Sequence, residues 1–574
     1  MSHTISHATG GEGSALTRNS WESAARFALL EVFFIFVVFF VHAGWPAPDE
    51  SEAHYLAIAK HAWNPNWIPD DVLLNSTNVH VVFSFTVGWI SLFAPLPVFA
   101  WIGRVITWVL LAWAWRRLAV AITPRRLFSV LSAALFVTLS QHLHVSREWS
   151  VGGLEAKGLA YAFMLFALER LVRSRWNQAL AFFGVSTSFH VIVGGWATLA
   201  AGGCWLFSKS TRPPLKHLIP GLAWASALAL PGLIPALTML LTADPAETAT
   251  ANKVYVFYRL PHHLWPPAME WWLIARHALL IAFVVMSFRY FTRRSAKANT
   301  SALVQSEDIN IAEQSPELAT LLRVTLSAVA FLTIGFTFAF VCYWTQSLNW
   351  ISNATVAGVM KFYWFRLSDV LCPATAALLT THGIVTALEK NSKWSRAGLA
   401  MALVLVSAHL GYLMLYHQAV TVPRADGTAM VQNFKDWREI ARTASSLPGV
   451  DGPAHFITPW NSQTFKWYSS RSEVASRKDI PQDARSIVEW WERIRRIYLR
   501  FNGKDYVPRG SFTQYPVDEL RSFATEYNVD YLITESAPAI VGLRRVARNR
   551  TYAIYQLRQP PALGGTASDN APAK

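Results

Sequence analysis

Apolar runs long enough, or nearly long enough, to cross a bilayer interrupt this chain repeatedly, and that feature excludes most architectures. A spanning helix needs about 20 apolar residues, somewhat fewer in thin or re-entrant places. Runs at 24–45, 98–115, 127–142, 156–172, 177–190, 191–207, 217–241, 270–291, 320–344, 366–388 and 397–416 qualify, about eleven in all. The expected fold class is mainly α: a polytopic membrane helical bundle with a small α/β domain at its C-terminal end. Composition agrees. The 574 residues are 52% hydrophobic and only 15% charged, where soluble chains carry about a quarter charged residues. Many of the 26 tryptophans stand near the ends of apolar runs, as interfacial belts require. The net charge of +15 would suit nucleic acid. The basic residues instead cluster in short loops, the positive-inside pattern, so no nucleic-acid partner is expected. Cys204, Cys342 and Cys372 lie in or beside apolar runs and say nothing about redox compartment.

Loop charge sets the topology. Basic residues gather at Arg116, Arg117, Arg125 and Arg126; at Arg173 and Arg175; at Lys209, Arg212 and Lys216; at Arg289, Arg293, Arg294 and Lys297; and at Lys390, Lys393 and Arg396. All five loops share the cytoplasmic side if the apolar stretch 80–96 lies at the interface or dips in and returns. The same parity divides 177–207 into two short spans that meet near His190. Residues 1–23 then form a cytoplasmic tail, without a cleavable-signal pattern, and the first run reads as a signal anchor. The membrane domain covers 24–417, with an outer loop at 46–97 and a cytoplasmic linker at 292–318. An extracytoplasmic α/β domain at 424–560 precedes a disordered tail at 561–574. Its pattern predicts helices at 436–446, 484–499 and 517–527 and strands at 454–458, 531–534 and 550–557.

The first outer loop opens with PDESEAHYLAIAKHAWNPNWIPDD, residues 48–71. As a helix over 50–63 it places Glu52, Tyr55, Leu56, Ala59 and Trp63 on one face and Glu50, His54 and His61 on the other. Such a helix should lie along the outer membrane surface. Glu52 sits in the apolar face, where a carboxylate is costly unless paired or protonated. Asp49 and Glu52 also fit a D-x-x-E capping box. A capping role can coexist with a catalytic one, and it accounts for neither Glu50 nor the pair Asp70 and Asp71. That pair has a plain reading of its own, as the start of another helix.

SEAHYLAIAKHAW and the later VFAWIGRVITWVLLAWAWRRLAV resemble the GT-C superfamily of membrane glycosyltransferases, nearest its lipid A aminoarabinose-transferase and protein mannosyltransferase branches. Those carry a D-E-x-x-Y-like motif followed by EIAREM-like text, then a span resembling EFAARLPSA…LARRLF. Arg104 and the pair Arg116 and Arg117 stand in the matching places. The resemblance implies a catalytic acid in the first loop. Aligned on Tyr55, Ser51 replaces the family's leading Asp and Glu52 is the surviving acid; aligned on the acidic pair, Asp49 and Glu50 are selected. The motif-level likeness covers about the first 200 residues, and beyond them only architecture. The chain also resembles uncharacterised bacterial multi-pass proteins with NExHYL, GGxEAKGxAY and PHHL signatures, which implies no activity.

Three further motifs belong to outer loops. SREWSVGGLEAKGLAYAF places Arg147, Glu148, Glu155 and Lys157 at the mouth of a span, with Gly152 and Gly153 supplying close backbone approach or positive φ. In the resembled family an Asp opens this span, and Glu155 stands in its place. Glu155 suits a metal or a sugar hydroxyl and Lys157 a phosphate; an ion pair fixing the helix end explains them equally well. YRLPHHLWP supplies Arg259, His262 and His263, candidate phosphate contacts or an interface anchor. Zinc is unsupported there, because no carboxylate or thiol sits at ligand spacing. KFYWFRLSD supplies Arg366, suited to a lipid-linked phosphate or to an i,i+3 pair with Asp369. The aromatic stretches WNSQTFKWYSSR and EWWERIRRIYLRF offer sugar stacking or, more simply, packing of a small domain.

The reading that unites these is an inverting glycosyltransferase of the cytoplasmic (inner) membrane, N-terminus inside and C-terminal domain outside. A polyprenyl-phosphate sugar is the expected donor and a glycan, lipid or protein the acceptor. Glu52, Asp49 or Glu50 would be the base; Arg147, Lys157, Arg259 and Arg366 would stabilise the leaving phosphate. Asp70, Asp71 and Glu155 would position sugar hydroxyls or an optional divalent ion, Mg or Mn, with no cofactor required. A transporter or flippase of lipid-linked saccharides would instead show charge at mid-membrane and repeat symmetry. A membrane scaffold would leave the outer-loop charges scattered.

Overall fold

The computed structural model describes residues 12–209, 211–301, 316–348, 350–420, 422–423, 434–460 and 462–558. The expected disordered tail and most of the 292–318 linker lie outside the described residues. Each of the eleven expected runs is a helix. Among the described residues seven helices are long and apolar enough to cross a membrane: Ser23–Ala43, Leu96–Ile122, Leu215–Thr242, Trp271–Tyr290, Pro316–Trp344, Arg366–Glu389 and Trp394–Ala419. The others are shorter: Phe128–Leu143, Ala156–Val172, Trp176–Phe189 and Val191–Phe207. Ala156–Val172 is buried on nearly every face, so it is an inner element wrapped by its neighbours and need not meet lipid along its length. Around it, Trp108, Trp115, Phe136, Tyr161 and Phe183 fill one continuous core.

Local chemistry explains the breaks. The first helix stops at Ala43, before Gly44 and the closely spaced Pro46 and Pro48, which cannot continue a helical ladder. His190 divides the 177–207 run as expected: it is extended (φ −151°, ψ 102°), and its side chain accepts from the Val193 N–H. Gly194 lets the two halves close against each other, because a Cβ there would lie 2.2 Å from the Thr187 nitrogen. The stretch 80–96 becomes a helix over Val81–Val87 and a tight turn over Gly88–Leu92, ended by Pro95. Its Phe85, Trp89, Leu92 and Phe93 stay exposed, a row suited to an interfacial element.

The helix Glu52–Trp63 forms, but not as a membrane-surface element. Its apolar face packs on Phe83, Ile90, Phe99 and Leu154, since the 81–92 segment covers it. Glu52 is wholly buried and paired with Arg104 of the helix Leu96–Ile122. Arg104 Nε donates to Glu52 Oε1 at 2.9 Å, Nη2 donates to Oε2, and Nη1 donates to the Trp45 carbonyl at 2.6 Å. The Asp49 and Leu154 N–H groups complete the carboxylate shell at 2.8 and 2.7 Å. The Asp49 bond is one half of the capping box. Gly153 permits this by close approach, not by positive φ: a Cβ there would meet Asp49 Cβ at 3.1 Å.

The C-terminal domain carries strands β1 (His455–Ile457), β2 (Ser472–Glu473), β3 (Leu499–Phe501), β4 (Tyr506–Pro508), β5 (Tyr531–Glu535), β6 (Arg544–Arg548) and β7 (Tyr552–Gln556). Five make one sheet in the order β2-β1-β5-β7-β6; β1 pairs in parallel with β2 and β5, whereas β7 is antiparallel to β5 and β6. Helices Phe434–Ser445, Ala484–Tyr498 and Val517–Glu526 stand where the sequence placed them. Alternation along β5 serves two cores: Tyr531 and Ile533 pack with Trp437, and Leu532 with Trp490 and Phe523. Trp490 is therefore a packing residue, its Nε1 donating to the Ser476 carbonyl at 2.9 Å.

This domain is docked on the membrane domain. Ala251 and Val254 belong to its core. Trp467 Nε1 donates to the Ala53 carbonyl at 2.8 Å, and the Thr77 N–H donates to Asp483 at 3.0 Å. Buried Lys466 reaches Asp71 at 3.3 Å and Glu473 and Asp479 at 2.8 Å. Asp71 also accepts from the Leu73 and Leu74 N–H groups, so it fastens a turn to the domain and opens no helix.

Breaking one side of a buried pair strands the other charge and costs about 3–5 kcal/mol. Glu52→Gln should therefore lower the unfolding free energy by about that amount, and Glu52→Leu with Arg104→Met should lose less than either change alone. Denaturant unfolding in detergent checks this; a stable single variant that lost only activity would contradict the structural role.

Candidate functional site

A cavity of about 830 Å³ lies between the membrane-length helices, the loops that join them and the C-terminal domain. Of the residues singled out in the sequence, Glu50, Arg147, Glu155, Lys157, Arg259, His262, His263 and Arg366 line it. Four others do not. Asp49 is buried beside Gly153, Glu52 has all its lone-pair positions engaged, Asp71 holds the C-terminal domain, and Asp70 is exposed. Placing the catalytic acid at Glu52 would require an oxygen that the Arg104 fork and two backbone donors already occupy.

The floor is assembled by Asp369. It accepts from the Val145 N–H at 2.7 Å, the Ser146 N–H and Oγ at 2.8 and 2.7 Å, and the Glu148 N–H at 3.2 Å. The i,i+3 pair expected between Asp369 and Arg366 is thus replaced. Arg366 Nε instead faces Glu148 Oε2 at 2.9 Å, and its guanidinium stacks on Tyr363 at 3.8 Å. Glu148 Oε1 accepts from Tyr161 at 3.0 Å and lies 3.6 Å from Lys157. Arg147 leans to the rim, doubly hydrogen-bonded to Glu270 at 2.7 and 2.6 Å.

Glu155 is the N-cap residue of the helix Ala156–Val172 and is 3% exposed. Its Oε2 lies 3.6 Å from Lys157, and its Oε1 has no hydrogen-bond partner among the described residues. Burial raises its pKa to about 7; Lys157 pulls the value down, and Glu148, Asp49 and Glu52 push it up. Burial also keeps nearby imidazoles neutral, lowering His54 to about 3 with help from Arg259, and His80 and His262 to about 4.

A row of rings crosses the cavity. His54 stacks on Tyr55 at 4.8 Å, and Tyr55 meets His80 and His80 meets His190 at 5.1 Å. His190 Nε2 lies 3.3 Å from Arg366 Nη1. The lining also includes the apolar Ile192, Leu233, Leu237 and Leu240; Leu237 and Leu240 belong to a membrane-length helix and are exposed. Glu50 and Lys478 face each other at 3.2 Å across the boundary with the C-terminal domain.

Sequence reasoning noted Glu148 at the span mouth without giving it a role, and His54, His190 and Lys361 within motifs without making them site residues. Tyr363 stood within KFYWFRLSD without being singled out, and Tyr255 and Lys478 carried no pattern that marks them. Among the described residues no three His, Cys, Asp or Glu side chains group as a metal site. The cavity carboxylates do not fit a divalent ion as ligands, since Glu50, Glu148 and Glu155 each face a cation.

A family model described as a domain of unknown function (DUF6798) matches residues 435–497. No curated protein matches the chain. Solved structures similar to it include the following three. The archaeal oligosaccharyltransferase AglB from Archaeoglobus fulgidus, in complex with an inhibitory peptide and a dolichol-phosphate, is 11% identical; the overlap covers 88% of this chain and 69% of that one, with a TM-score of 0.43. The Archaeoglobus fulgidus oligosaccharyltransferase in complex with Zn and sulfate is 11% identical over 89% and 68%, with a TM-score of 0.44. ArnT from Cupriavidus metallidurans, bound to undecaprenyl phosphate, is 13% identical over 95% and 99%, with a TM-score of 0.41.

Asp369→Asn removes one strong acceptor from under the 145–148 loop. The orphaned donors should cost about 1–3 kcal/mol, seen as a lower unfolding midpoint and faster amide exchange at Ser146 and Glu148.

Proposed function

We propose that the chain is an inverting membrane glycosyltransferase that moves a sugar from a polyprenyl-phosphate donor to an acceptor at the outer face of the cytoplasmic membrane. The observation that carries this reading is Glu155: a buried carboxylate with an unengaged oxygen, in a cavity whose lining also includes apolar residues of a membrane-length helix. A prenyl chain too apolar to leave the bilayer suits the wall of Leu233, Leu237 and Leu240. Its phosphate suits Arg366, whose planar fork binds such groups bidentately. The sugar would lie along the rings of Tyr55, His80 and His190.

In the reaction, Glu155 takes the proton of the acceptor hydroxyl. The acceptor oxygen attacks the anomeric carbon as the bond from that carbon to the phosphate oxygen breaks. The electron pair leaves with the phosphate, whose charge Arg366 stabilises. A base works best with a pKa near the working pH, and Glu155 at about 7 meets that requirement. Lys157 sets the base, because its charge restrains the rise that burial imposes. The catalytic acid sought in the first loop is thereby reassigned to the span mouth, and Glu52 and Asp49 support the backbone around it.

Glu155→Gln should slow transfer from a polyprenyl-phosphate sugar by about 100-fold or more with little change in unfolding. The wild-type rate should rise with pH through a limb near 7 as Glu155 loses its proton. Lys157→Met should move that limb to higher pH, since a carboxylate without its cation holds its proton longer. Full transfer by Glu155→Gln, or an unmoved limb in Lys157→Met, refutes the assignment.

A further inference from the structure

Four of the cations that line the cavity already face a carboxylate: Arg147 faces Glu270, Lys157 faces Glu148 and Glu155, Arg366 faces Glu148, and Lys478 faces Glu50. Arg259 makes no ion pair among the described residues, and its Nε is buried without a hydrogen-bond partner. It closes the π-helical turn Val254–Arg259, a rare register change that occurs mostly at functional sites. Positive charge accumulates there: burial first, then Arg477, lowers the pKa of Arg259 to about 10. Arg477 likewise makes no ion pair among the described residues. Asp479, whose charge reaches Arg259, is already hydrogen-bonded to Lys466 at 2.8 Å.

A half-buried guanidinium without a counter-charge is costly, and its fork matches a phosphate or carboxylate. The two arginines have different neighbours: His54 feels the charge of Arg259, whereas Arg366 contacts His190 and Glu148, and the hydrogen-bonded pair Tyr255 and Tyr363 lies near both. The geometry points to a second anion-binding subsite, built on Arg259 with His262 in the cavity wall, that takes a phosphate or carboxylate group of the acceptor. The word acceptor rests on the transfer reaction proposed above; the anion subsite does not. A polyprenyl-phosphate donor brings one phosphate, which Arg366 receives, so the anion at Arg259 belongs to the other substrate. The acceptor is therefore an acidic glycan or an anionic lipid headgroup, and a neutral hydroxyl compound would be a poor one.

Full-length protein in detergent, titrated calorimetrically with inorganic phosphate, with acetate and with a synthetic polyprenyl phosphate, tests this. Arg259→Gln should weaken inorganic anion binding by about tenfold or more, the loss of a charge-assisted contact, and leave polyprenyl phosphate binding unchanged. Arg366→Gln should show the reverse. Arg259→Gln should also melt no lower than the wild type, because it removes an unbalanced charge. Phosphate acting at Arg259 without acetate assigns a phosphoryl group; both acting assigns any small oxyanion. Equal losses of phosphate and polyprenyl phosphate in Arg259→Gln, unchanged anion binding, or a lowered melting point each overturn the subsite. Failure of the wild type to bind polyprenyl phosphate removes the transfer reading and leaves the inorganic anion result standing.

Discussion

The buried ion pair between Glu52 and Arg104 organises everything outside the membrane helices. Glu52 accepts from the Asp49 N–H just before its own helix and from the Leu154 N–H of the loop before the helix Ala156–Val172. Arg104 adds the end of the first span through the Trp45 carbonyl. Three segments, 45–52, the helix carrying Arg104 and the turn at Leu154, thus meet on one carboxylate and one guanidinium. Such a pair gains little net stability over an apolar replacement, but each partner requires the other. Its value lies in register: with Leu154 fixed, Glu155 turns into the cavity at the start of its helix.

Electrostatics divide the cavity into separate tasks. Glu148 is spent on Arg366, Tyr161 and Lys157, so it holds cations in place. Glu155 shares only Lys157 with it, and burial keeps its proton within reach of neutral pH. The same desolvation strips the proton from His54, His80 and His262. Imidazoles there are neutral faces and hydrogen-bonding rings, not extra cations. The positive charge is thereby confined to a few fixed lysines and arginines.

Much of the fold was legible in the sequence. Apolar run length identified the helices, and loop charge located the break at His190. Period-two alternation predicted β1, β5 and β7. The short β2, the hairpin of β3 and β4, and β6 with its three arginines lack the apolar alternation that reveals a strand. The cavity lining was legible where motifs were dense, at Glu155, Lys157, Arg259 and Arg366. Glu52 misled because an acid on an apolar helix face signals chemistry and a buried partner equally well. Its partner lies 52 residues away, a separation that no local pattern encodes. The docking role of Asp71 was invisible for the same reason, since Lys466 belongs to another domain.

Ala251 and Val254 bear on how the two domains came to share one chain. They are residues of the membrane domain that complete the core beneath Trp490 and Phe523. A tail severed from the bundle would expose an apolar notch where those side chains belong, and the bundle would keep an orphaned plug. The boundary at the surface is thus not a boundary in the packing. Secretion of the tail as a free-standing module, or its exchange for another, would have to be matched by a change in the short helix Pro245–Lys253 and the turn that follows it.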